Sequence, residues 1–337
     1  MPIYRCNQCS FVSEDLANPV GSKVPCGRCG QTCTVYGTVF YVERLVERYF
    51  SSLREINILR EQEKDGLDGE GASPEVKSES LTSVANVDIH NTALFATPAQ
   101  HAPLSSWFSA RKIEAIFDYS NVDTTGFFDD AARTIGQRYA LFAELVNRVR
   151  FAYRKGHTGL TLELSDLSQK DAQTVNTLCR QLYSHTFFSR YYYQKPEKIV
   201  RLNLQAATAI RQFFDGGWLE WFTFIEAVDQ LKATSRPFSC ARGVKVKFEN
   251  EDLHELDVLL LPQGQHPIFI ECKSGEFRGD IDKYQRLRKR LGADRRHFIV
   301  CAADLSDDQA SSLTAMYELT FVNLLLLPSR VHSLIET

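Results

Sequence analysis

Between Phe248 and Gly275 two dense apolar runs flank a polar turn: Leu256 to Leu261, then Pro262-Gln263-Gly264-Gln265-His266, then Pro267 to Lys273. Short apolar runs bounded by turn residues predict a buried β-hairpin. Three polar groups interrupt it. With the turn centred on Gly264, residues whose numbers average to that position oppose each other, which pairs Asp257 with Glu271 roughly 5 Å apart on one face. Side chains alternate along a strand, so Lys273 falls on that face too. Two carboxylates and an ammonium then share one patch of an apolar hairpin, where unpaired burial is costly. A divalent cation, Mg²⁺ or Mn²⁺, is the simplest partner for the two acids. A lysine beside it can hold an attacking water and stabilise charge on a phosphate. A salt bridge from Lys273 to Asp257 or Glu271 is the alternative reading.

Helical spacing of Val39, Val42, Leu45, Val46, Tyr49, Phe50, Leu53 and Ile56 predicts a helix over 39–61. The next stretch, 62–106, is rich in Glu, Asp, Gly, Ser, Thr and Pro, and is expected to be a flexible linker. Globular patterning resumes at Trp107, with a short helix or loop expected at Ile116–Asn121. A helix over Ile135–Arg154, a strand at Leu160–Leu164, a helix capped near Ser168 and a hairpin over Phe188–Leu204 follow. That order predicts a winged-helix-like domain over 107–204. On its hairpin, Arg190, Lys195 and Lys198 interleave with tyrosines that could stack on bases, or that simply pack on the helices. Helices over 204–214 and 218–232, the hairpin, a basic helix over 278–290 bearing Lys283 and Arg286, and strands 297–302 and 320–327 around a helix 306–317 predict a mixed sheet over 205–337. The fold class expected is α+β / α/β multidomain.

The N-terminal segment holds Cys6-Asn7-Gln8-Cys9 and, sixteen residues later, Cys26-Gly27-Arg28-Cys29. Each CxxC turn can point two thiolates at one ion, so 1–38 is expected to be a zinc ribbon with structural Zn²⁺ on Cys6, Cys9, Cys26 and Cys29. So small a unit needs the metal to fold. Cys33 is near enough to substitute, but the symmetric CGRCG knuckle favours Cys29.

Composition then narrows the function. A chain of 337 residues suggests about two domains. Net charge −3 gives no global attraction to nucleic acid and weakens a purely electrostatic coating role, so contacts must come from local basic patches. No apolar run approaches the roughly 18 residues of a membrane span, and the first residues lack a secretory core. A cytoplasmic protein with no membrane partner is expected. Nine cysteines, four of them in CxxC pairs and Cys179, Cys240, Cys272 and Cys301 in apolar surroundings, point to metal binding plus buried thiols rather than disulfides.

Four blocks occur in order: Gly216-Gly217-Trp218-Leu219-Glu220, the run HELDVLLL from His254, IFIECKSG from Ile268, and RLRKRLG from Arg286. Together they resemble the PD-(D/E)xK nuclease domain of CRISPR ancillary endonucleases fused to cyclic-oligoadenylate (CARF) sensor domains. The resemblance runs from Phe213 to the C-terminus, about a third of the chain. It implies a restriction-endonuclease-like domain that hydrolyses phosphodiester bonds in nucleic acid, DNA before RNA, leaving a 5′-phosphate, with a role in defence against foreign DNA. It implies Glu220, Asp257 and Glu271 as metal-site carboxylates and Lys273 as the catalytic lysine, with Glu255 ranked lower. Pairing into a homodimer is expected by analogy with single-site nucleases. Those relatives carry a sensor where this chain carries the CxxC pairs, so activation by a cyclic nucleotide is not carried over. The alternative is a non-catalytic nucleic-acid- or protein-binding adaptor on a nuclease-like fold; intact Asp257, Glu271 and Lys273 argue against it.

Overall fold

The computed structural model describes residues 2–6, 8, 11–15, 17–37, 92–119, 126–234, 236–249 and 253–336. The helix expected over 39–61, residues 62–91 of the expected linker, and Cys9 lie outside them. The chain divides into two compact units, Met1–Ser80 and Leu81–Thr337.

In the first unit, β1 (Pro2–Arg5), β2 (Val12–Glu14), β3 (Lys23–Pro25) and β4 (Thr32–Gly37) form an antiparallel sheet of order β2-β1-β4-β3. Its core is Tyr4, Cys6, Val24, Cys26, Cys33 and Val35. Half of those side chains are thiols, which leaves little apolar area to hold the unit together.

The second unit begins inside the expected linker. Thr92–Phe95 forms a 3₁₀ turn, and α1 (Pro98–Ser109) follows behind a Thr97 cap. The buried Asp129 carboxylate accepts the Thr92 backbone N–H at 2.6 Å and its hydroxyl at 2.7 Å. Leu104 and Phe108 of α1 are fully buried. Residues 92–106 are therefore ordered by partners far along the chain, which composition does not register.

After α1 come β5 (Glu114–Ile116), α2 (Phe127–Gln137), α3 (Tyr139–Arg154), β6 (Gly159–Glu163), α4 (Gln169–Ser184), β7 (Phe188–Gln194) and β8 (Ile199–Leu204). The remainder is α5 (Thr208–Gln212), α6 (Trp218–Ala233), β9 (Phe238–Lys247), β10 (Leu253–Pro262), β11 (Ile268–Lys273), α7 (Ile281–Leu291), β12 (Phe298–Ala302), α8 (Asp307–Met316), β13 (Thr320–Val322) and α9 (Leu327–Ile335). Six strands form one mixed sheet, β13-β12-β11-β10-β9-β5, parallel across β11-β12-β13 and antiparallel elsewhere.

Both faces of that sheet are covered, which is why β10 and β11 read as continuous apolar runs. Val258, Leu260, Ile268, Ile270 and Cys272 join one core with α6, while Leu259, Phe269, Phe298 and Val300 join the other with α1 and α7.

The stretch 107–204 does not close on itself. Its antiparallel sheet β6-β8-β7 and helices α2 to α4 share one continuous core with α6 and the large sheet. Aromatic contacts knit the parts: Phe128 meets Phe213 at 5.4 Å and Trp221 at 5.7 Å, and Phe187 meets Phe213 at 5.1 Å. Strand and helix order follow expectation, but the boundary at 204/205 is crossed by packing. Two local expectations are also corrected: the helix expected from Ile135 is two helices meeting at Arg138, and 320–327 is a short strand before α9. Residues 114–116 add an edge strand on β9, and 117–119 after it follow the expected loop.

Candidate active site

The β10–β11 register is Val258↔Ile270, Leu259↔Phe269 and Leu260↔Ile268, as a turn centred on Gly264 requires. The next step outward brings Asp257 to Glu271. There the ladder opens, and Asp257 Oδ2 accepts the backbone N–H of Cys272 at 2.7 Å. On the opposite side of β10 the pairing runs Val258↔Arg242 and then Leu256↔Val244, passing over Asp257 and Gly243. Gly243 has φ +64°, a left-handed conformation that suits glycine. Across this point β10 changes faces: Val258 belongs to one core and Leu256 to the other. The local twist frees Asp257 from strict alternation.

Glu271 and Lys273 lie on the Phe269 side of β11, and Asp257 is near enough to act on both. Glu271 is 5% exposed. Burial, and then the neighbouring Asp257, push its carboxyl well above the ordinary range. Burial likewise raises Asp257, opposed by the Cys272 N–H and Lys273. For Lys273 burial works against the charge, yet Tyr284, Asp257 and Glu271 together raise its pKa. The Lys273 Nζ lies 5.5 Å from the Tyr284 ring centroid, and among the described residues the buried Tyr284 hydroxyl has no partner of hydrogen-bonding geometry. The two electrostatically couple while falling short of a formed hydrogen bond.

Asp257 and Lys273 border a cleft of about 860 Å³ lined also by Glu220, Arg242, Glu255 and Arg150, among others, with Glu271 set behind that lining. Gly216 has φ +139°, and the turn at Phe213–Gly217 delivers Glu220 in the first turn of α6. The Glu220 side chain is 29% exposed and pairs with Arg242 at 3.4 Å. Burial and then Asp257 push its carboxyl up to about 7 against the pull of Arg242. The Arg242 guanidinium stacks 3.7 Å above Trp221. Seven carboxylates and four cationic side chains line the cleft, so a polyanion entering it meets repulsion unless cations are added.

The sequence missed Arg150, Arg242 and Tyr284. Arg150, on α3, donates to the Ser274 carbonyl at 2.9 Å and to Asp215 at 3.1 Å. It thereby holds the turn after Lys273 against the turn before α6. Strand β9 was missed too, although the alternation Val244-Lys245-Val246-Lys247 is a strand signal that would have placed Arg242.

The expected nucleic-acid residues fall in two places. Lys283 and Arg286 are exposed on α7, and Lys283 is near enough to draw down both Asp257 and Glu271. Arg190 and Lys195 are exposed on the β7–β8 hairpin and Lys198 is half-buried there; none of the three lines the cleft. Tyr191 and Tyr193 pack on the core, whereas Tyr192 is 61% exposed opposite Arg201.

In the first unit the thiols of Cys6, Cys26 and Cys33 all lie within 4.8 Å of one another. The exposed Cys29 thiol is 3.4 Å from that of Cys6. Burial, then Cys6 and Cys26, push the Cys33 thiol up to about 11. Among the described residues no three carboxylates converge so closely. Cys179, Cys240, Cys272 and Cys301 are buried free thiols.

No family model matches the chain, and no curated protein matches it. Solved structures do. One is protein VC1899 from Vibrio cholerae, with TM-score 0.45 and 18% identity over 69% of this chain and 60% of that one. Another is Can2 from Sulfobacillus thermosulfidooxidans, in complex with cyclic tetra-adenylate, with TM-score 0.49 and 13% identity over 69% of this chain and 61% of that one. The chain thus spans about three fifths of the length of each. No helix among the described residues is long and apolar enough to cross a membrane.

Proposed function

We propose that the second unit is a PD-(D/E)xK metal-dependent endonuclease that hydrolyses phosphodiester bonds, with DNA the favoured substrate and RNA the other. The observation that carries this reading is the meeting of Asp257, Glu271 and Lys273 at the open end of the β10–β11 ladder. A buried acid and a half-buried one that repel each other are a suitable donor set for Mg²⁺ or Mn²⁺, which keeps several waters beside one or two carboxylates. Asp257, Glu271 and the Cys272 carbonyl would hold the ion, with Glu220 in the surrounding shell. When bound, such an ion supplies a Lewis acid that makes water a nucleophile near neutral pH. Lys273 orients that water and faces the charge developing on the phosphate. Arg242 offers a further cation to the substrate, and Lys283 and Arg286 lie along the strand to be cut. A 5′-phosphate product, a defensive role and a homodimer that cuts both strands belong to the same proposal. We read 2–37 as a zinc ribbon and β6-β8-β7 with α3 and α4 as a winged-helix-like element fused to the nuclease core.

The rival reading, a non-catalytic adaptor, draws on the absence of three converging carboxylates among the described residues. One assay separates them: supercoiled plasmid, single-stranded DNA and RNA are each incubated with Mn²⁺ and either wild type or Asp257→Ala. Cleavage confined to wild type is expected. Equal cleavage by both, or none on any substrate, overturns the nuclease reading.

A further inference from the structure

Five cysteines fall within residues 6–33, one more than a tetrahedral zinc site needs. The two CxxC pairs account for four, and Cys33 stands outside that pattern. Its place in the fold is nevertheless within the thiol cluster. Cys33 is on β4 and pairs with Val24 on β3, directly before the Cys26 knuckle. The hairpin is closed by Cys26 N–H to the Gln31 carbonyl at 2.8 Å and Gly30 N–H to the Cys26 carbonyl at 2.9 Å. This tight return carries Cys33 back over Cys26 and against Cys6, the residue that follows the neighbouring β1. Cys6, Cys26 and Cys33 are all buried, whereas Cys29 is exposed.

The distances suit one ion. Four sulfurs at about 2.3 Å from zinc in a tetrahedron are separated by roughly 3.8 Å. Cys6, Cys26 and Cys33 lie within 4.8 Å of one another, a span that admits that value, and Cys29 approaches Cys6 to 3.4 Å while standing outside that trio. Both are far from the sulfur–sulfur bond of about 2.05 Å, so these are thiols and not disulfides. The Arg28 N–H points at the Cys26 sulfur at 3.4 Å, the amide contact that steadies a thiolate in a knuckle. The Cys33 thiol spends its proton on the Gln31 carbonyl at 3.3 Å, a bond given up when that proton leaves on ligation.

We infer that Cys33 is a zinc ligand, sharing an S₄ site with Cys6 and Cys26, so that one thiol of the two CxxC pairs gives up its place to it. The inference rests on the zinc-ribbon reading of this unit and is independent of the nuclease reading. It makes the metal tie β1, the knuckle and the last strand together. A set drawn from CxxC pairs alone would leave β4 outside the metal's reach.

The test uses the full chain. Zinc content per chain is measured, and the metal is replaced by Co²⁺, whose sulfur charge-transfer band scales with the number of thiolate ligands. Carboxylate-bound Co²⁺ at Asp257 and Glu271 contributes nothing to that band. Wild type is expected to hold one zinc in this unit with a four-thiolate spectrum. Cys33→Ser is expected to lose about a quarter of the band and to bind more than about 100-fold more weakly, since loss of a ligand exceeds the loss of an outer-shell partner. Should Cys33→Ser fail to fold, Cys33→His supplies the second measurement: a retained metal with a three-thiolate spectrum shows position 33 in the coordination shell. A full four-thiolate spectrum and wild-type affinity in either variant, with the loss appearing instead in both Cys9→Ser and Cys29→Ser, overturns the assignment of Cys33 while leaving zinc in place. Absence of zinc from wild type overturns the zinc reading and this inference together.

Discussion

Asp257 accepts the backbone N–H of Cys272 at 2.7 Å, across the end of a ladder whose next pair would be Asp257 and Glu271. The carboxylate does two jobs at once. It satisfies a buried amide that has left the sheet pairing, and it stands beside a second acid and a lysine.

Substitutions at Asp257 separate the two jobs. Asp257→Ala leaves the Cys272 N–H unpaired and should lower stability by about 1–3 kcal/mol. Asp257→Asn keeps an acceptor and sheds a buried charge, so it should melt above Asp257→Ala and at or above wild type at pH 8. Both should lose cleavage by roughly 1000-fold or more if the carboxylate holds metal. Urea melts and a Mn²⁺ cleavage assay check this. Equal melting of Ala and Asn variants removes the structural role.

The raised Glu220 carboxyl, at about 7 against an ordinary 4.5, predicts the pH dependence of stability. Between those two values the folded chain binds a proton that the unfolded chain has released, so stability falls as pH rises through this window. Below it both states are protonated and the effect vanishes; above it the penalty is constant, about 3 kcal/mol at most. Glu220→Gln mimics the protonated form. Its melting temperature relative to wild type should climb from pH 4.5 to pH 7 and then level off. A flat difference across that range would show that Glu220 ionises normally.

Arg150 should matter more for rate than for binding. Its fork serves both the Ser274 carbonyl and Asp215, and a Cβ at Gly275 would lie 3.4 Å from its guanidinium. Lysine cannot reproduce that geometry. Arg150→Ala and Arg150→Lys should each reduce turnover about 10-fold or more while changing nucleic-acid affinity little, because Lys273 loses its fixed neighbour. Single-turnover rates and equilibrium binding measured side by side distinguish this from an ordinary substrate contact.

The contact between α2 and α6 depends on one missing methyl. A Cβ at Gly136 would sit 2.1 Å from the buried Phe222 ring. Gly136→Ala gains helix propensity of about 1 kcal/mol, but the clash is larger, with overpacking costing about 1–3 kcal/mol or more. The variant should be destabilised overall by chemical denaturation. A more stable variant would mean that α2 can slide on α6.

On the outer face of the β6-β8-β7 sheet, Tyr192 lies opposite Arg201, and Arg190 lies opposite Asn203. If this face touches single-stranded nucleic acid, Tyr192→Ala should weaken binding by about 1–3 kcal/mol, a stacking loss. Melting should barely change, since the side chain is exposed. Unchanged affinity would leave the face as an ordinary solvated sheet surface.

The hairpin was legible because its information is local. Apolar runs, a turn centred on Gly264 and period-two alternation together specify which residues oppose which. By contrast, α1 carries Pro98, Pro103 and His101, a poor helical stretch in isolation. Its order comes from β9: Gln100 Nε2 donates to the Phe238 carbonyl at 2.9 Å, and the Ser239 hydroxyl donates to the Gln100 carbonyl at 2.5 Å. Those partners are more than a hundred residues away. The same blindness made 107–204 look independent. Periodicity identifies a buried face but not the surface that buries it, and the α2–α4 faces are covered by α6 and the large sheet.

Sequence alone determined that Asp257, Glu271 and Lys273 fall at the same end of a buried hairpin, and that CxxC thiols gather near the N-terminus. Both follow from spacing along a single stretch of backbone, where geometry allows few alternatives. Tertiary structure decided that Arg150 braces the turn after Lys273, that Arg242 pairs with Glu220 across the cleft, and that Cys33 enters the thiol cluster. Those relationships join elements distant in the chain, and only packing selects among the many partners that pattern alone would permit.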